Sequence, residues 1–495
     1  MYPSLDEAKK LAASGAYCRI PISLELYADR FTPVEVMRTL RAASHHCFLL
    51  ESAEDNQQWG RYSFLGYAPL LELTCSGNTL RIRYDPESEQ CRTETRTVSH
   101  PGHAIREILR AYHSPKLPGH PPFTGGLVGY FSFEYLQYAE PSLQENIPAG
   151  GDFLDADLML FDKVIIFDNY RQKLILIAGA ATDDLENNYQ TAQKVLEEMA
   201  TLLRSNARAI FRPLKLLSPL ELHFSKDQFI SMVNRAKHYI REGDIFQVVL
   251  SNPMEAQAQG SLFDVYRILR TTNPSPYMFY FSSEDLEVSG ASPETLVKLM
   301  DGTLYTFPLA GTRPRGKNQE EDKALERELL NDEKELAEHN MLVDLGRNDL
   351  GKISRLGTVT VEKYQSIERF SHVMHIGSTV SGQIRADRDA VDAVDAILPA
   401  GTLSGAPKLR ACEIIQELEG KPRGVYGGAI GYLDLTGNLD TCISIRLAYK
   451  KNGRLCIQSG AGIVADSNPE TEYLECRNKA QAVVNAVELA EGGIL

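Results

Sequence analysis

The chain has 495 residues, 43% of them hydrophobic, and a formal net charge of −14. That length builds a large core without disulfides or metal staples and suits two or three domains. The acidic balance excludes a nucleic-acid or anionic-membrane surface, so an anionic ligand needs a local pocket of cations or amides.

The first 210 or so residues read as strand-rich with a few helices. Cys47-Phe48-Leu49-Leu50, Val164-Ile165-Ile166-Phe167 and Lys173-Leu174-Ile175-Leu176-Ile177 are short apolar runs of the buried-strand type. The spacing from Asp183 to Leu203 predicts a helix with Leu185, Tyr189, Val195 or Leu196, and Met199 on one face. From Arg204 to Leu222 the periodicity fades and two prolines intervene, which marks a linker or crossover. Ser225-Lys226-Asp227-Gln228 has the pattern of a capping box and opens a helix carrying Phe229, Val233, Ala236 and Ile240, which stops at Gly243. Strands are predicted at 245–250, 278–281, 303–307, 427–433 and 454–459, and helices at 322–345, 390–397, 406–418 and 471–489. The interleaving has no regular βαβ beat and no G-x-G-x-x-G after a strand, so the fold class expected is an α+β sandwich.

The eight cysteines show neither C-x-x-C nor zinc spacing with histidine and read as reduced, mostly buried thiols. Met1 to Glu7 carries neither a basic nor an apolar signal region, and no apolar run reaches transmembrane length. A soluble, cytoplasmic protein with no membrane or nucleic-acid partner is expected.

Two Glu-x-x-Glu pairs fall on predicted helices, Glu335/Glu338 and Glu472/Glu475. A spacing of three puts both carboxylates of a pair on one helix face, and two such faces together make a hard, oxygen-rich site suited to Mg2+. Solvated helix faces carry the same spacing for solubility. Pro308 to Gly316 reads as a donor-rich turn, either an anion site at Gly311 and Thr312 or a strand exit with two solvated arginines. Gly401-Thr402-Leu403-Ser404-Gly405-Ala406-Pro407-Lys408 precedes a helix whose first amides form an anion site, although the G-x-x-x-x-G-K-[ST] phosphate loop is absent. Gly460-Ala461-Gly462 closes a strand and either exposes consecutive amides to a carboxylate or serves close strand packing. Arg446 reads as a cation in an apolar strand that needs an anionic partner, a structural carboxylate or a ligand. His372 and His375 flank Val373-Met374, where a histidine satisfied within the core is the usual case. No Gly-x-Cys-x-Gly elbow with a downstream His-x-Glu is present, so nitrogen taken from glutamine requires another polypeptide.

Taken together, residues 308–316, Glu338 to Asp349, Gly401 to Lys408 and Gly460 to Val464 resemble the chorismate-utilising enzymes. The resemblance runs from about Phe224 to the C-terminus, and more loosely through the N-terminal part. It implies the large α/β/β/α-type sandwich of that family over residues 220–495, with a strand-rich region, 1–210, packed against it and carrying tryptophan-binding elements. Gln247 stands where isochorismate-forming relatives carry a water-activating lysine, and Ala310 where aminodeoxychorismate synthases carry a nucleophilic one. The branch implied therefore uses ammonia, makes anthranilate and pyruvate from chorismate, and opens tryptophan biosynthesis; the sister branches, aminodeoxychorismate and isochorismate synthase, are the alternative.

By the same resemblance Glu338 and Glu475 hold Mg2+, supported by Glu335 and Glu472, and Glu294 is the acid that protonates the departing C4 hydroxyl. Gln247 and His375 join the catalytic set, and Gly311, Thr312, Thr402, Tyr426, Arg446, Gly460, Ala461 and Gly462 contact the substrate. Feedback tryptophan is expected at Glu51, Ser52, Pro276, Tyr277, Met278 and Cys442. The partner implied is a glutamine amidotransferase subunit, component II, in a heterotetramer with two copies of each chain.

Overall fold

The structure is a computed structural model that describes residues 1–53, 60–146, 153–205, 207–369 and 373–494. Its architecture follows from strands that are apolar on both faces. Successive side chains of a strand point to opposite sides, so a continuous apolar run needs cover above and below. Leu49, Leu65, Ile165, Leu174 and Leu176 pack under helices. Their neighbours Phe48, Phe64, Ile166, Ile175 and Ile177 face a second sheet instead. The helices over the first sheet include Pro33–Ala43, Leu185–Arg204, Phe263–Thr272 and Pro469–Ala490. Those over the second are Gly102–Ala111, Glu333–Gly351 and Ala390–Ile397. The layers are helix, sheet, sheet, helix, the α+β sandwich expected.

Among the described residues the first sheet has 13 strands and the second 12, and their ladders run antiparallel. Each sheet takes strands from both ends of the chain. Cys47–Glu51 pairs with Tyr277–Ser282, Leu50 opposite Phe279. Gly126–Phe131 pairs with Ala429–Asp434, Tyr130 opposite Ile430.

The chain leaves the first sheet after Leu286–Ser292 and enters the second at Thr295–Met300, so Pro293-Glu294 is a crossing. It returns through Ser444-Ile445-Arg446, between Leu439–Ile443 and Leu447–Lys451. The two crossings lie side by side: Ala291 N donates to Arg446 O (3.1 Å) and Ile443 N to Glu294 O (3.0 Å).

Local expectations hold where the signal is local. Ser225 and Gln228 form the capping box of Lys226–Glu242, which ends at Gly243 with φ +84°. Of the two candidates on the Leu185–Arg204 helix, Leu196 is the buried one.

Four expectations are corrected. The helix expected at 322–345 is two, Gln319–Leu330 and Glu333–Gly351, because Asp332 caps a new helix. The strand expected at 454–459 continues to Ile463 and absorbs the three-residue Gly460–Gly462 motif. The strand expected at 245–250 runs as Gln247–Gln259, and its edge recruits Lys215–Leu216 and Glu221–Leu222 from the expected linker. Arg446 lies in a crossing with φ +53° and not within a strand.

Candidate active site

The two crossings supply Glu294 and Arg446 to one cavity of about 590 Å³. Glu294 is held by Thr402, whose Oγ1–H donates to Oε2 (3.0 Å). Burial raises the Glu294 pKa, against the Thr402 hydrogen bond and the charges of Lys479 and Arg446. Arg446 donates to the Lys479 carbonyl and, among the described residues, forms no ion pair with a carboxylate. The Glu294 carboxyl in the same cavity acts on its charge.

The glutamate pairs reach this cavity from opposite helix layers. Asp332 accepts from Lys334 N (3.1 Å) and Glu335 N (3.3 Å), which starts the Glu333–Gly351 helix and places Glu335 and Glu338 in its first two turns. Asn468 does the same for Pro469–Ala490, accepting from Glu470 N (3.0 Å) and Thr471 N (3.2 Å) ahead of Glu472 and Glu475. All four glutamates, with Lys334 and Lys479, line the cavity. Burial raises the Glu338 pKa, and Glu335 and Glu475 add to the rise. Burial also raises Glu472, with Glu475 again adding.

Glu475 pairs with Lys479 at 2.8 Å. Among the described residues no three His, Cys, Asp or Glu side chains stand close enough to share a metal ion. Carboxylates brought to one cavity from two separate helices fit Mg2+, which keeps several waters in its shell.

The segment expected as a donor-rich turn is the strand Leu309–Pro314, whose register breaks between Ala310 and Arg313. Gly311 sits there at φ +65°, a conformation that favours glycine, and it and Thr312 line the cavity. The arginines of this segment are both ion-paired. Arg313 pairs with Glu328 and Asp332 (2.9 Å each) and Arg315 with Asp322 (2.9 Å). His375 Nδ1 lies 2.7 Å from Gly311 O, an acceptor only, so that nitrogen carries the hydrogen. Burial lowers the His375 pKa and keeps the ring neutral near pH 7. His372 lies outside the described residues.

Gln247, Tyr426, Gly460 and Gly462 close the far wall. A Cβ on Gly462 would stand 2.7 Å from Gln247 Nε2, and one on Gly460 3.0 Å from the Tyr426 oxygen. Ala461 points the other way, into the core around Ala411 and Ile415. Consecutive amides of a strand face opposite edges, and one edge here pairs with Gln247–Gln259, so alternate amides and not three in a row face outward.

Lys408 Nζ is engaged by Asp349 (2.7 Å) and the Ile397 carbonyl (2.8 Å). Lys334, Gln458 and Ser467 also line the cavity, beyond the residues the sequence motifs mark. The Asp332 cap three residues before Glu335 was a legible sign of Lys334's place; the others carry no local signal.

A second cavity, about 110 Å³, gathers Glu51, Ser52, Pro276, Tyr277, Met278 and Cys442. The Glu51 carboxylate is already held by Arg270 (2.9 and 3.3 Å), Tyr266 and Ser63 (3.2 Å). The Tyr277 hydroxyl bonds Thr295 Oγ1 (2.9 Å) and Asp440 Oδ1 (2.8 Å). That contact links the second cavity to the residue after Glu294.

Residues 45–485 match the family described as chorismate binding enzyme. A protein of Acetivibrio thermocellus named anthranilate synthase component 1 is 44% identical over 498 residues, covering 99% of both chains. Its namesake from Pseudomonas aeruginosa is 44% identical over 504 residues, again at 99% of each. The crystal structure of anthranilate synthase component I from Streptococcus pneumoniae superimposes with a TM-score of 0.73 at 38% identity, covering 86% of this chain and 92% of that one.

Proposed function

The chain belongs to the chorismate binding enzymes, whose family model matches residues 45–485, and we propose that it is the large subunit of an anthranilate synthase. It converts chorismate and ammonia to anthranilate and pyruvate, at the first step of tryptophan biosynthesis. The observation that carries this reading is one cavity lined by Glu294, Arg446, His375, Gln247 and both Glu-x-x-Glu pairs. Neither Gln247 nor Ala310 is a lysine, so no side chain there competes with ammonia as nucleophile. A glutamine amidotransferase subunit supplies that ammonia, in a cytoplasmic heterotetramer with two copies of each chain.

Chorismate is a dicarboxylate, and the cavity offers two kinds of grip. Arg446, Tyr426 and the outward amides near Gly460 and Gly462 take the enolpyruvyl carboxylate by charge-assisted hydrogen bonds. Glu338 and Glu475, supported by Glu335 and Glu472, hold Mg2+. The ion supplies a Lewis acid for the ring carboxylate and offsets the crowding of anions. Gly311 and Thr312 position the ring, and neutral His375 stands beside them.

Glu294 gives its proton to the C4 hydroxyl as the C4–O bond breaks and water leaves. The lone pair of ammonia forms the new bond at C2, the C1=C2 and C5=C6 pairs move to C1=C6 and C4=C5 as the hydroxyl leaves, and the new ammonium gives a proton to solvent to leave 2-amino-2-deoxyisochorismate. Loss of the C2 proton and breakage of the C3–O bond then aromatise the ring, and the enolpyruvate released takes up a proton to become pyruvate, a lyase step. Burial favours the protonated acid that this chemistry needs.

Tryptophan regulates the enzyme from the second cavity, between Glu51/Ser52 and Pro276-Tyr277-Met278, with Cys442 in its wall. Because the Glu51 carboxylate is already engaged, Glu51 acts there through its backbone, at the strand end opposite Met278. The Tyr277–Thr295 bond gives that cavity a physical route to Glu294.

The test is a product assay on the purified chain with chorismate, Mg2+ and ammonia. Anthranilate fluorescence is expected. Formation of 4-amino-4-deoxychorismate or isochorismate instead would move the protein to a sister branch, and no product would refute the assignment.

A further inference from the structure

Thr402 falls among the substrate contacts that the family resemblance implies, yet its hydroxyl hydrogen points at Glu294 Oε2, 3.0 Å away. The turn that carries it, Gly401–Leu403, is pinned on three sides. A Cβ on Gly401 would stand 1.9 Å from Leu345 Cδ2, so the turn lies closely against the Glu333–Gly351 helix. Val249 N donates to Ser404 O (2.9 Å). Arg423, fully buried and held by Glu419, donates to Leu403 O (2.7 Å). A hydroxyl fixed this way aims at one oxygen of the acid.

We propose that Thr402 is a positioning residue for Glu294, and that its hydrogen bond decides which carboxyl oxygen carries the proton given to the substrate. The inference rests on the chorismate reading of this cavity. With Oε2 accepting from Thr402, Oε2 is the carbonyl oxygen of the neutral acid and Oε1 bears the hydrogen. Proton transfer from Oε1 to the C4 hydroxyl lets that oxygen leave as water and take the C4–O electron pair. The carboxylate left behind keeps the Thr402 hydrogen bond, which strengthens as the acceptor gains charge, and faces the cations Arg446 and Lys479. Thr402 thereby stabilises the developing charge as well as orienting the acid.

The hydrogen bond lowers the Glu294 pKa while burial raises it. Turnover needs the protonated acid, so activity is lost as pH rises through that pKa. Removing the donor raises the pKa and moves the alkaline limb of kcat to higher pH.

The experiment compares the parent chain with Thr402→Val, Thr402→Ala and Thr402→Ser, using chorismate, Mg2+ and a constant concentration of neutral ammonia across pH. Thr402→Val and Thr402→Ala are expected to lower kcat about ten- to a hundred-fold, the range for one hydrogen bond to a charged group, with KM for chorismate little changed. Their alkaline limbs move up, and Thr402→Ser restores both rate and limb. Should the valine variant fail to fold, the alanine variant carries the same loss without a branched side chain. A raised KM with unchanged kcat and limb would make Thr402 a substrate contact and overturn the proposal, as would a serine variant as slow as alanine. Absence of anthranilate from the parent chain is the separate failure, that of the functional reading.

Discussion

Replacing Arg423 by methionine tests how the core supports the site. The guanidinium is 2% exposed and makes four hydrogen bonds, to Glu419 Oε2 (2.9 Å), Glu419 Oε1 (2.6 Å), Leu403 O (2.7 Å) and Val249 O (2.7 Å). Methionine fills much of the volume but donates nothing. It leaves the Glu419 carboxylate buried with only Ser251 N (2.8 Å), Ser251 Oγ (3.0 Å) as donors. Breaking a buried pair costs about 3–5 kcal/mol, and two orphaned carbonyls add about 1–3 kcal/mol. A loss near 5 kcal/mol is large against a total stability of about 5–15 kcal/mol. Urea unfolding followed by fluorescence measures it. In Arg423→Met/Glu419→Gln no lone charge remains, so roughly half the loss is recovered. A single variant that loses under about 1 kcal/mol, or a double variant no better than the single, would refute this account. Any folded Arg423→Met should also turn over slowly, since the Thr402 turn has lost its pin.

Glu294→Gln should lower kcat about 10²- to 10⁴-fold, the range for a general acid, while chorismate still binds in calorimetry; near-parent turnover would move the acid elsewhere. Glu338→Gln should abolish the Mg2+ dependence of turnover and weaken Mg2+ binding measured directly, and an unaltered Mg2+ titration would reassign the metal ligands. Met278→Ala and Ser52→Phe should relieve tryptophan inhibition with little change in uninhibited kcat, and undiminished inhibition in both would reject the second cavity as the regulatory site. His46 gives a pH test of stability. Burial opposes its charge, but Glu72 and Glu87 together raise its pKa from 6.5 to about 9. A raised pKa gives stability that is complete below 6.5 and lost as pH rises through about 9, worth up to about 3 kcal/mol. His46→Gln should flatten the urea midpoint between those pH values, and an unchanged slope would count against the pair.

Much of the fold was legible because its signals are short-range. The Ser225–Gln228 box, the Gly243 stop and the apolar run Val164–Phe167 each depend on residues within one turn or strand. Legibility failed where a local pattern had two outcomes. The pattern at Asn331-Asp332 is compatible with a continuous helix, yet Asp332 is a capping side chain whose acceptor outcompetes helix continuation. The segment Gly460-Ala461-Gly462, at the close of a strand, fits either exposed amides or close strand packing. Its glycines are strand residues kept small by Gln247 beside Gly462 and by the Leu250 carbonyl and Tyr426 beside Gly460, all distant in the chain.

The residue types of the site, the helices that carry its glutamates and the family could all be read from the chain itself, because motif and periodicity are properties of neighbours. Tertiary structure alone decided that Glu294 and Arg446 sit in crossings between sheets, 3.0 and 3.1 Å backbone bonds holding those crossings together. It alone decided that Thr402, 108 residues from Glu294, aims its hydroxyl at the acid. Such contacts form only when separate helices and strands pack, and no local pattern records which side chains that packing brings within hydrogen-bond reach.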